Sequence, residues 1–206
     1  MFSTEACYFK SQEFKKIKES TTALQELETS SLKTIDTSDK NRYKLIKWVT
    51  NFIKEYDYGK NIKGLYLHGN FGCGKTYILS ACFNEMKKRG FRTKIVYLPD
   101  LLRTIKGDFE AMNDIMDELC NIDILLIDDI GAEKVTDWGR DEILGTILQS
   151  RMNEHKTTFF TSNFTIKELE EHLSNKGVDK VKANRIIERI KQLTIDMEML
   201  GANMRK

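Results

Sequence analysis

Eight consecutive residues, Gly69-Asn70-Phe71-Gly72-Cys73-Gly74-Lys75-Thr76, follow the pattern G-x-x-x-x-G-K-[ST] without a departure. Glycines let successive backbone N–H groups turn inward around phosphate, where side chains would block the curvature. The N-terminus of a following helix adds partial positive charge. In such a loop Lys75 reaches the β- and γ-phosphates and the Thr76 hydroxyl ligates Mg²⁺, so the expected ligands are ATP and Mg²⁺. A second group stands at the end of the apolar run Ile124-Leu125-Leu126-Ile127, where Asp128 and Asp129 follow in succession. A carboxylate at the end of a buried strand carries a desolvation cost that a metal offsets. Asp128 therefore reads as the metal-holding acid, and Asp129 as the group that orients or deprotonates the attacking water. Asp129-Ile130-Gly131 also reads as a polar turn that ends the strand.

Two further groups are less specific. Asn163 closes the segment Thr157–Asn163, and an amide at a strand end can bond the lytic water or the γ-phosphate; it is equally a common turn residue. Arg185 and Arg189 lie four apart on a helical pattern and share one face, beside the stripe of Ile186 and Ile190. An arginine so placed can complete a neighbouring subunit's phosphate site, or can pair with Glu188 and solvent.

The elements that must position these groups alternate along the chain. Leu65–His68 reads as a strand entering the glycine-rich turn. The helix from Lys75 buries Ile78, Leu79, Cys82 and Met86, and stops at Lys87-Lys88-Arg89-Gly90. Lys94–Leu98 is a second strand, Leu101–Cys120 one or two helices broken near Gly107, and Ile122–Ile127 a strand buried on both faces. Thr136 can cap a helix that buries Ile143, Leu144, Ile147, Leu148 and Met152. Thr157–Ser162 is a strand beside the Asp128 strand, helices follow near 165–174 and 180–192, and Leu193–Leu200 is a final strand. Ahead of these, Thr37 or Ser38 can cap a helix that buries Leu45, Ile46, Val49, Phe52, Ile53 and Tyr56. Strands separated by helices at this spacing imply an α/β fold, a five-stranded parallel sheet with helices on both faces. Residues 1–40 read as a partly helical leader with apolar anchors at Phe9, Phe14, Ile17, Leu24, Leu27 and Leu32, and 41–206 as the nucleotide-binding domain. Pro99 marks no linker.

With 206 residues there is room for one full core. A balance of 33 Lys and Arg against 31 Asp and Glu leaves no global field for a polyanion, so nucleic-acid binding needs a local patch. The cysteines Cys7, Cys73, Cys82 and Cys120 form no C-x-x-C pair, which argues against a zinc knuckle or a disulfide framework. No apolar run approaches the length of a membrane span and no signal segment is read, so a cytoplasmic protein is expected.

Taken together, the segments GLYLHGNFGCGKTYIL, KIVYLPDLLRTIKG, LLIDDIGAEKVTDWGRDEILGTILQSRM, TTFFTSNF and NRIIERIKQLTIDMEMLGANMR resemble the DnaI and DnaC family of bacterial replicative-helicase loaders. The resemblance runs from about Ile62 to the C-terminus and is stronger toward DnaI. It implies a P-loop ATPase of the AAA+ type; the separate helical lid domain of many such proteins is missing from this sequence, and no lid-type sensor role is read for Arg205. It also implies that Asn163 serves as the sensor amide and Arg189 as the arginine finger, with Arg185 one turn before it. The partners implied are single-stranded DNA, the replicative DNA helicase during initiation or restart, and further copies of the chain that meet at the ATP site. Such loaders carry an N-terminal helicase-docking domain with a zinc site, for which residues 1–40 leave no room. A transposition ATPase of the IstB kind would share the same site residues, and a P-loop small-molecule kinase would need an acceptor pocket and an arginine-rich lid.

Overall fold

The computed structural model describes residues 27, 29–37, 39–57, 60–175 and 177–204. Five strands, β1 (Gly64–His68), β2 (Thr93–Tyr97), β3 (Ile124–Asp128), β4 (Thr157–Ser162) and β5 (Thr194–Glu198), form one sheet in the order β2-β3-β4-β1-β5. Every neighbouring pair is parallel. Parallel pairing requires a crossover between strands, and helices supply it. Helix α1 (Lys40–Glu55) precedes β1, and the crossovers run through α2 (Lys75–Lys88), α3 (Leu98–Gly107), α4 (Met112–Asn121), α5 (Gly145–Asn153), α6 (Ile166–Leu173) and α7 (Lys180–Leu193).

The two-residue period of a strand sends alternate side chains to opposite faces. Ile124 and Leu126 of β3, Leu65 and Leu67 of β1 and Phe159 of β4 meet α1 and α2 in one core. Leu125 and Ile127, Tyr66 and Phe160 meet α3 to α7 in the other. Both faces of β1, β3 and β4 are thus covered, which is why β3 reads as an unbroken apolar run; each such side chain contributes about 2 kcal/mol on burial. The expected α/β fold is the observed one.

Three local expectations differ from the structure. The cap of α1 is Asp39, whose side chain accepts the Arg42 N–H at 2.9 Å; Ser38 lies outside the described residues. The strand expected to run through Leu98 ends at Tyr97, and Pro99 occupies the first turn of α3, where its fixed φ and missing N–H suit a helix start. The helix expected after Thr136 opens as a π-helical segment, Trp138–Leu144, before continuing as α5; Thr136 does accept the Gly139 N–H at 3.1 Å. Arg140 holds this wider turn in place through Asp137, Asp141, Asp179 and the Leu173 carbonyl, and the carboxylates of Asp141 and Asp179 raise its guanidinium's proton affinity despite burial.

Of the leader, Phe9, Phe14, Ile17 and Leu24 lie outside the described residues, as does Arg205. Parts of the leader meet α2: Asn84 donates to the Leu27 and Ser30 carbonyls, and the Thr34 and Tyr77 hydroxyls share a hydrogen bond. No described helix is long and apolar enough to cross a membrane.

Candidate active site

Strand order places the site. β4 lies between β1, which feeds the loop Gly69–Thr76, and β3, which ends in Asp128, so the end of β4 separates the loop from the acidic pair. Crevices at the carboxyl ends of parallel strands are where ligands bind in open α/β sheets. The loop itself turns on Gly72 (φ 71°) and on Gly74 (φ 98°), the latter at the N-terminus of α2 in a left-handed conformation that costs a glycine little. Phe71 stands exposed in the loop, and the Cys73 thiol is buried, donating to the Met199 carbonyl.

Two hydrogen-bonded groups meet across the end of β4. In the first, the Thr76 hydroxyl donates to Asp128 Oδ1 at 2.8 Å, and the Thr161 hydroxyl donates to the same oxygen at 2.6 Å. Burial pushes the Asp128 carboxyl above its ordinary range, while the bonds from Thr161 and Thr76 oppose that rise. In the second, Lys75 Nζ donates to the Gly69 carbonyl (2.8 Å), the Asn70 carbonyl (3.0 Å) and Asn163 Oδ1 (2.8 Å). Asn163 Nδ2 donates in turn to Asp129 Oδ1 at 2.9 Å. Thr161 joins the two groups, since its hydroxyl also accepts the Asp129 N–H at 2.8 Å. Asp129 is held at φ 57°, a conformation uncommon outside glycine and one that Asp tolerates better than most residues. Its carboxylate meets the Asn163 amide.

The structure therefore brings Lys75, Thr76, Asp128, Asp129 and Asn163 together. Arg189 is elsewhere: it lies half-buried on α7, where its Nε donates to Gln149 Oε1 at 3.0 Å, and Arg185 is exposed one turn before it. Thr161 was passed over as a strand residue, although its i, i+2 relation to Asn163 gives the signal: alternate residues at a strand end share a face. Glu133 was also missed. It is buried, accepts the Gly131 N–H at 2.7 Å, and has its carboxyl pushed up by burial, so it fixes the turn that follows Asp129.

The donor chemistry fits Mg²⁺ with a nucleotide. Among the described residues no three His, Cys, Asp or Glu side chains gather as a metal cage. Mg²⁺ does not call for one, because it is usually held by one or two protein oxygens together with substrate phosphates. Thr76 Oγ1 and Asp128 offer such a pair of hard oxygens, and the Lys75 ammonium stands near them.

The family model of AFG1-like ATPases matches residues 8–203. The replicative helicase loader DnaI of Bacillus subtilis (strain 168) is 39% identical over 186 residues, covering 88% of this chain and 60% of the relative. The chain thus spans well under two thirds of that protein's length. A crystal structure of DnaI superposes with a TM-score of 0.80 at 45% identity, covering 88% of this chain and 93% of that one. A crystal structure from Streptococcus pyogenes serotype M3 gives 0.72 at 33% identity, covering 85% of this chain and 88% of that one. With its loop, acidic pair and strand order, the chain belongs to the AFG1-like ATPase family, alongside the DnaI and DnaC helicase loaders.

Proposed function

We propose that this chain binds and hydrolyses Mg·ATP as the ATPase part of a helicase loader, one that engages single-stranded DNA and the replicative helicase in the cytoplasm. Residues 41–206 form the ATPase unit on this reading, and residues 1–40 a leader to it. One observation carries the proposal: the continuous hydrogen-bonded path from Thr76 through Asp128, Thr161, Asp129 and Asn163 to Lys75.

Bound Mg²⁺ supplies charge neutralisation across the transferring phosphates. Thr76 and Asp128 are the residues to hold it. Lys75 exchanges its bonds to the loop carbonyls and Asn163 for phosphate oxygens. That exchange frees Asn163 Oδ1 to orient water, while Asp129, still bonded to Asn163 Nδ2, takes the proton of the attacking water. Arg189 lies on α7, away from its own chain's loop, so its role is to complete the site of a neighbouring copy.

The test is nucleotide and DNA binding by the same preparation. Lys75→Ala should lose Mg·ATP binding by calorimetry, whereas the unaltered chain binds. Fluorescence anisotropy with single-stranded DNA, with and without Mg·ATP, should give binding that weakens as salt rises, because phosphate contacts release counterions. A chain that binds ATP but no DNA in either state would remove the DNA part of the proposal. A Lys75→Ala chain that binds Mg·ATP normally would remove the site.

A further inference from the structure

The segment Met199-Leu200-Gly201-Ala202-Asn203-Met204 follows β5, and β5 pairs with β1 along its whole length, from Gly64↔Thr194 to His68↔Glu198. The ladder runs on one step further: the Met199 N–H donates to the His68 carbonyl at 2.7 Å. β5 therefore delivers the chain to the root of the phosphate loop, and the segment then crosses that loop residue by residue.

At Gly69 the Met199 carbonyl fills the place a side chain would take; a Cβ there would come within 1.9 Å of the carbonyl oxygen. The Cys73 thiol donates to the same carbonyl at 3.4 Å. Asn70 and Gly201 form a reciprocal pair: Asn70 Nδ2 donates to the Gly201 carbonyl at 2.5 Å, and the Gly201 N–H donates to Asn70 Oδ1 at 3.0 Å. The side-chain amide acts there as an extra peptide unit. Gly201 itself sits where a Cβ would lie 3.5 Å from Cys73 Cβ and 3.7 Å from Arg42 Nη2, between the loop and α1. Finally the Met204 N–H donates to the Gly72 carbonyl at 2.9 Å, and the Asn203 carboxamide rests on Gly72, where a Cβ would be 1.9 Å from its oxygen.

Four loop positions, 69, 70, 72 and 73, are thus gripped by one short segment. On the loop's side the groups engaged are a carbonyl, a thiol, a carboxamide and two bare α-carbons, and none is a backbone N–H donor of the kind that phosphate needs. The grip also bears on Lys75, whose ammonium is bonded to the carbonyls of Gly69 and Asn70.

We propose that Met199–Met204 is a brace that sets the shape of the phosphate loop, with Asn70 as its positioning residue, so that nucleotide affinity depends on how the C-terminal segment is seated. The inference rests on the nucleotide reading above. Coupling between two sites is reciprocal, so bound nucleotide must also tighten the segment.

Two variants break the brace from opposite sides. Asn70→Ala removes the reciprocal pair, and Met204→Pro removes the donor to Gly72 while leaving the loop sequence intact. Each should weaken Mg·ATP binding by about fivefold, the scale of one or two hydrogen bonds. Amide hydrogen exchange of the unaltered chain should slow at Gly201 and Met204 when Mg·ATP is added, a response that a merely structural anchor would not give. Binding within twofold of the unaltered chain in both variants, with exchange at Gly201 and Met204 unmoved by nucleotide, overturns the brace alone. Tighter binding in the variants also overturns it, since the segment would then be a plug. An unaltered chain that binds no Mg·ATP overturns the nucleotide reading, and the brace with it.

Discussion

Asp128 is a carboxyl that burial disfavours in its charged form and that two hydroxyls, from Thr76 and Thr161, hold in place. Its proton affinity is raised in the folded chain, so its stabilising share is full at low pH and is lost as pH rises through its raised value. Near neutrality, without nucleotide, the charge is a cost to the fold. Asp128→Asn keeps an oxygen for both hydroxyls and removes the charge. It should raise the thermal midpoint of the nucleotide-free protein by about 2–4 °C, the equivalent of roughly 1 kcal/mol for a domain of this size. The same variant should lose the extra stabilisation that Mg²⁺ adds to nucleotide. Differential scanning fluorimetry at pH 7, with nucleotide in the presence and absence of Mg²⁺, reads both effects. A midpoint that falls in Asp128→Asn would mean that the charge stabilises the empty site.

Among the elements, α4, α5 and β4 are joined by a single side chain. Arg151 is fully buried, and burial pushes its guanidinium down to about 10. It donates to the Leu119 carbonyl at 2.8 Å and the Ile122 carbonyl at 2.9 Å at the end of α4, to the Thr157 carbonyl at 2.7 Å, and to Thr158 Oγ1 at 2.8 Å. Arg151→Met leaves those acceptors buried and unpaired, and should cost about 3 kcal/mol in urea unfolding. Arg151→Lys, with fewer donors on a narrower head, should fall between the two; an unchanged midpoint in Arg151→Met would remove this role. Little in the sequence marks Arg151 as buried, because all its partners but the Thr158 hydroxyl are backbone carbonyls, and a carbonyl is the same group on every residue. The strands were legible for the opposite reason. Ile124–Ile127 must be covered on both faces and is written in side chains, and the loop Gly69–Thr76 is written in glycines whose backbone requirement is local. The ends of elements were less legible: Asp39 in place of Thr37 or Ser38 as cap, and Pro99 inside a helix instead of beyond a strand, are choices among neighbours that each suit the position. The C-terminal segment over the phosphate loop was not foreseen, since it joins residues about 130 apart in the chain.

At the scale of the whole molecule, Lys75 and Arg189 belong to different parts of one chain, and the proposed assembly reunites them across two copies. Lys75→Ala disables the loop but leaves Arg189 intact; Arg189→Ala does the reverse. Each alone should hydrolyse ATP slowly, with Arg189→Ala about a thousandfold below the unaltered chain, the scale typical of such arginines. An equal mixture should recover turnover several-fold above either variant, measured by phosphate release, because some interfaces then pair an intact loop with an intact arginine. Turnover in Arg189→Ala at the unaltered rate would remove that residue from the mechanism.

The sheet order also dictates when this molecule can become competent during its own synthesis. β1, which carries the phosphate loop, finds both of its sheet neighbours late in the chain, in β4 and β5. β2 and β3 can pair with each other soon after they emerge, but β1 must wait for residues 157–198 before either edge is closed. Pairings of such long sequence separation form slowly, because the entropy of closing the loop is lost before any contact is gained. A nascent chain would hold its nucleotide loop open on the ribosome long after that loop had been translated. Ligand capture then becomes a late checkpoint on the completeness of the polypeptide.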